Sequence, residues 1–197
     1  KTGSGSLTLG GVNSYAGSNT VNAGKLTLNG DSSGTGSITL ANGTGLGVIQ
    51  ANPANSLDPV DVTFGTSGAT TLDINLGNFS GNPSAAPLNV TGTLTLNGTV
   101  TLNVADQFPA IGSTPLVSYV GPKAGAGSFV LGTLPEGVTA VLNDDGTGLV
   151  SLVVSNATLP KWDGTDAPKY AKTADVTSGL FDVVVTDDTN IAIGQKV

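Results

Sequence analysis

Short runs in which apolar and small polar residues alternate recur along the whole chain. They fall at residues 6–9 (SLTL), 25–28 (KLTL), 37–40 (SITL), 71–76 (TLDINL) and 93–96 (TLTL), then 99–104 (TVTLNV), 116–120 (LVSYV) and 149–154 (LVSLVV). A period of two places every second side chain on one face, as a strand with one buried side requires. Turn signals follow most of these runs: Gly10-Gly11, Asn29-Gly30, Asn42-Gly43, Asn97-Gly98 and Asp145-Gly146. The spacing carries further information. Leu7 and Leu26 are 19 residues apart, and Ile74 and Leu94 are 20 apart. Intervals of this size fit one coil of a β-solenoid, built from three short strands and three turns. Leu7, Leu9, Leu26, Leu28, Ile38 and Leu40 are then expected to stack inside the coil, each coil covering its neighbour's open face. A fully buried Leu contributes roughly 1.5–3 kcal/mol, so such a ladder needs no metal or disulfide.

The predicted fold is all-β, a right-handed parallel β-helix with a short C-terminal β element. An Asn-Gly pair between alternating runs also suits a hairpin, and residues 93–104 are the best hairpin candidate, so an antiparallel β-sandwich is the alternative. Residues 47–59 (GVIQANPANSLDP) and 79–87 (FSGNPSAAP) break the pattern with prolines. They read either as long corners or as projecting loops, where solenoids place their binding sites. We expect a solenoid over 1–158, with a capping region from about residue 105. Residues 159–197 form a C-terminal β element or the start of a further repeat unit. Four of the chain's seven lysines (Lys161, Lys169, Lys172 and Lys196) cluster there, behind a plausible hinge at Pro160.

Composition narrows the function. Glycine contributes 29 residues, Glu136 is the sole glutamate, and only 11% of residues are charged, against roughly 25% in ordinary soluble domains. Solvent must therefore meet Thr, Ser and Asn, a neutral polar skin that suits a secreted protein. The net charge of −7 argues against nucleic acid and anionic membranes as partners. Absence of cysteine removes disulfides and thiolate metal sites. No apolar run is long enough for a membrane-spanning segment. The chain opens on Lys1 rather than Met, which reads as a mature or excised segment whose signal peptide lies outside it.

Residues 5–30 (GSLTLGGVNSYAGSNTVNAGKLTLNG) resemble the autotransporter-associated β-strand repeat. That pattern runs approximately G-x-L-T-L-x-G-x-N-x-Y-x-G-x-T-x-V-x-x-G-x-L. It is met here by Leu7, Leu9, Asn13, Tyr15, Gly17, Thr20, Val21, Gly24 and Leu26. Residues 109–154 look more loosely like the same passengers. Residues 159–164 (LPKWDG) resemble the Trp-Asp-Gly motif that opens a further unit, and residues 181–197 its following strand pair. The resemblance implies a parallel β-helix, a Gram-negative passenger domain, and a place outside the cell or on the bacterial outer surface.

Candidate chemistry is sparse. Elimination from a uronate needs a base and cations, and the chain has no Arg and no His. Hydrolysis of a glycoside needs two carboxylates held together. The close acidic pairs are Asp58/Asp61, Asp144-Asp145 and Asp187-Asp188, of which the last two sit in turn contexts. We expect no enzyme and no cofactor, with calcium in an Asp-rich turn as the one metal to consider. Thr-x-Thr rows raise ice binding as a remote alternative. Trp162, Tyr170 and Phe181, with Val184, Ile191 and Ile193, form the candidate interaction surface: a core closure, a sugar platform or a contact between subunits. The strands 183–185 and 191–193 would complete a neighbour's open end. The expected function is a surface stalk, adhesin or fibre subunit that self-associates end to end or meets glycans or a host or cell surface. The alternative is a carbohydrate-binding or carbohydrate-processing β-helix.

Overall fold

A computed structural model describes residues 1–32, 36–77, 81–105 and 109–158. All of these lie in Lys1–Thr158, the first of two units into which the chain divides. The described residues are all strand and turn.

The strands follow a repeated itinerary. The first coil contributes β1 (Ser6–Leu9) and β2 (Asn19–Val21), and the second β3 (Lys25–Asn29) and β4 (Ile38–Leu40). The third contributes β5 (Gly45–Ile49) and β6 (Val62–Phe64). The fourth has three strands, β7 (Thr70–Asn75), β8 (Leu88–Val90) and β9 (Leu94–Leu96). The fifth likewise has β10 (Thr99–Ala105), β11 (Gly112–Tyr119) and β12 (Lys123–Ala124). After β13 (Ser128–Leu131) the chain turns into a long pair, β14 (Val138–Asp144) and β15 (Leu149–Ala157). One six-stranded sheet runs β1-β3-β5-β7-β10-β13, and a five-stranded sheet runs β12-β9-β6-β4-β2. Every pair within these two sheets is parallel. A third side has the order β14-β15-β11-β8, with Leu57 bridged in parallel to Leu88 at its start. This is a parallel β-solenoid with three sides.

Period-two patterning explains the core. In the six-stranded sheet Leu7, Leu26, Leu46, Leu72, Leu102 and Leu131 form one column of register partners. Leu9, Leu28, Val48, Ile74 and Val104 form the next. Ile38 and Leu40 stack separately on the five-stranded side, with Val62 and Phe64. The inner members of these columns are buried. Phe64 meets Phe129 edge to face across the interior, with ring centroids 6.2 Å apart.

Two expectations about spacing need correction. Ile74 and Leu94 are not one coil apart: Ile74 pairs with Val104, and Leu94 belongs to another side, beside Val62. Residues 93–104 do not form a hairpin. β9 and β10 lie in different sheets, and Asn97 is a corner whose Nδ2 donates to the Gly65 carbonyl at 2.8 Å. The antiparallel elements are instead β15 against β11 and β14 against β15, a hairpin that covers β11 where the next coil would add a parallel strand.

Strand β5 is buried on both faces. A Cβ on Gly47 would stand 2.5 Å from Thr27 Oγ1 and 3.0 Å from Lys25 Cε. Glycine here leaves a channel through which Lys25 crosses β5 to reach Asp73 at 2.5 Å. The projecting segment thus begins after Ile49, not at Gly47.

Candidate binding trough

The two proline-bearing segments leave the six-stranded sheet at the same corner, one coil apart, and stack on each other. Gln50, fully buried, donates from Nε2 to the carbonyls of Asn55 and Ala85, both at 3.0 Å. Ser84 and Ala85 donate their backbone N–H groups to the Pro53 carbonyl at 2.9 and 3.1 Å. Leu57 N donates to Pro87 O at 2.9 Å. Proline at 53, 59, 83 and 87 fixes φ and removes four donors from the two segments, so the stacking is carried by the remaining amides and one glutamine.

These loops stand beside the outer face of the third side and make it concave. A cavity of about 540 Å³ is lined there by Ser56, Ala86, Asn89, Pro115, Ser118 and Leu149, among others. A second, of about 390 Å³, continues it toward Asp31, Ser32 and Asp58, sharing Ser56 and Asn89 with the first. The floor carries a hydrogen-bonded column across three coils. Ser118 Oγ donates to Asn89 Oδ1 at 2.9 Å, and Asn89 Nδ2 donates to Asp58 Oδ1 at 2.9 Å. Parallel pairing fixes that column, since Asn89 and Ser118 are register partners. No lysine lines either cavity, while Asp31 and Asp58 make the second one acidic. One oxygen of Asp31, Oδ1, is buried with no hydrogen-bond partner among the described residues.

Among the described residues, the members of the acidic pairs Asp58/Asp61 and Asp144-Asp145 take different partners. Asp61 accepts from Thr93 N at 2.8 Å and from Ser37 Oγ at 3.1 Å, clamping three coils of the five-stranded side, whereas Asp58 belongs to the trough. Asp145 sits in the β14–β15 turn and accepts from the N–H groups of Thr147, Gly148 and Leu149. Those backbone bonds, Leu149 foremost, hold its carboxyl below the usual range. Lys123 is pushed up, first by its hydrogen bond to Asp144 at 2.5 Å. Burial raises the phenol of Tyr119 at the base of the same hairpin, and Asp144 adds to it. Among the described residues no three His, Cys, Asp or Glu gather as a metal site, and no helix is long and apolar enough to cross a membrane. Trp162, Tyr170, Phe181, Val184, Ile191, Ile193 and the pair Asp187-Asp188 lie outside the described residues.

The first coil is where a known pattern and the geometry coincide. Residues 1–26 match the passenger-associated-transport-repeat. That stretch holds β1, β2 and the start of β3, one full turn of the solenoid. No curated protein and no solved structure matches the chain. The repeat's typed positions have clear duties in the coil. Leu26 is a buried column member. Gly24, at φ +69°, passes so close beneath the Gly5 carbonyl that a side chain has no room. Tyr15 donates its hydroxyl to Asn19 Oδ1 at 2.7 Å. Asn13 reaches the second coil through Ser32 Oγ, which accepts from its backbone N–H at 3.0 Å.

The trough itself was only partly legible. The proline segments mark it in the sequence, but the column Asp58–Asn89–Ser118 joins residues about thirty apart, and no local signal records that alignment.

Proposed function

We propose that this is a passenger-type protein displayed on, or released from, the bacterial outer surface, whose solenoid serves a structural role as stalk, adhesin or fibre subunit. The observation that carries the reading is the match of the passenger-associated-transport-repeat to one whole coil. Two features support it. The outer faces of the coils are dressed in Thr, Ser and Asn, and the charged fraction is 11%, a surface suited to the extracellular medium. Asp61 and Asp145 serve as a clamp between coils and a turn former, in keeping with a structural role.

Localisation is tested on cells carrying the full gene. Antibody raised against residues 1–158 is expected to label intact cells, or to find the protein in the medium, and external protease is expected to remove the label. Recovery only from the cytosol overturns the proposal. Sedimentation across a hundredfold range of concentration addresses association, and strictly monomeric protein removes the fibre reading.

A further inference from the structure

We infer that the trough on the third side binds an uncharged polysaccharide, laid along the solenoid axis. This does not rest on the surface-display reading, and either can fail alone.

The trough is built from two strips of opposite character. Ala86, Pro115 and Leu149 give it apolar patches, and the column Asp58–Asn89–Ser118 gives it a row of hydrogen-bonding groups. A pyranose ring has the same division, with C–H groups on its face and hydroxyls around its rim. The polar row keeps spare capacity. An amide offers two donors and an acceptor, and a carboxylate about four lone-pair sites, whereas the column's own contacts use one or two per residue. The bonds within the column also fix these side chains before a ligand arrives, which lowers the ordering cost of binding.

Length and charge select the ligand class. From Asp31 in the second coil to Ser118 in the fifth, the trough covers three inter-strand steps, about 14 Å at the usual strand separation. That length suits several consecutive sugar units of a chain better than a single small molecule. Asp31 and Asp58 line it, with no lysine to balance them, and the whole chain carries −7. Uronates, sulfated glycans and other polyanions are repelled by such a site. Neutral chains, whose hydroxyls can donate to Asp58 and Asn89, are not.

The stacked loops form the wall. Gln50 ties both segments together from below, so the concavity exists without ligand, as binding clefts usually do.

Calorimetry of the full chain with neutral hexasaccharides (β-glucan, xylan and chitin fragments) and with hexagalacturonate tests the assignment. At least one neutral oligomer is expected to bind, and the uronate not to. The double variant Asn89→Leu/Ser118→Val is expected to weaken that binding about tenfold or more, in line with the loss of two ligand hydrogen bonds. Ser56→Arg, which places a bulky side chain at the junction of the two cavities, is expected to abolish it. Thr39→Val, on the exposed five-stranded face, is expected to leave it unchanged. Silence of every neutral oligomer, tighter binding of the uronate, or wild-type binding by Asn89→Leu/Ser118→Val or Ser56→Arg at the wild-type melting temperature each overturns the proposal.

Discussion

Residues in this protein act mainly through the coil above and the coil below. Phe64 shows the apolar version: it occupies a buried column between Leu40 and Leu96 and meets Phe129 from the facing sheet. Truncation to alanine leaves a void that neighbours on fixed parallel strands cannot close, and Phe64→Ala is expected to cost about 3–5 kcal/mol in urea unfolding. Gln50 shows the polar version. Gln50→Leu keeps the volume but strips the buried donor from the carbonyls of Asn55 and Ala85. An expected loss of about 1–3 kcal/mol should be accompanied by faster proteolysis within residues 51–56, whereas unchanged cleavage would detach the loops from this glutamine. The leucine columns were legible from period-two spacing, because alternation alone decides which face is buried. The partners of Asn89 and Asp58 were not, because a hydrogen bond between coils depends on how many residues each corner consumes.

Elements differ in how far their neighbours were predictable. β1 and β3 stand 19 residues apart with no insertion, so their pairing could be read directly. β7 and β10 are 30 apart, because the loop before β8 lengthens the coil, and a fixed period therefore misassigned Ile74. Asn97-Gly98 and Asp145-Gly146 carry the same kind of turn residue. One makes a corner and the other a hairpin, because the flanking strands of the first find parallel partners already in place. The hairpin β14–β15 has its own chemistry. Asp145 has a depressed pKa, so its contribution is present above the ordinary carboxylate value of about 4 and is lost as pH falls through its lower folded value. Lys123 has a raised pKa, so its contribution is present below about 10.4 and is lost as pH rises through its higher folded value. Hydrogen exchange, corrected for its intrinsic pH dependence, is expected to show the β14–β15 amides protected between these limits. Protection should fall selectively at both extremes while that of β5 and β7 persists. A uniform loss across all strands would remove the special role of this pair.

The whole described unit is a stack whose rise per coil is constant while its perimeter is not. Successive members of the leucine column are separated by 19, 20, 26, 30 and 29 residues, yet each adds one strand spacing, about 4.8 Å. Extra residues enter at corners, which is how the trough could be built without disturbing the core. The same inequality has a mechanical consequence. Tension along the axis acts parallel to the hydrogen bonds between strands, so coils should peel away singly rather than shear together. Each detached coil releases as much chain as its perimeter holds, at roughly 3.4 Å per residue. Force spectroscopy of the protein held at both termini is therefore expected to give a graded set of steps, from about 65 Å for the shortest coils to about 100 Å for the longest. A single rupture of the entire unit would contradict it. The decorated coils are the long ones, so the region of the molecule that carries the trough also stores the most slack.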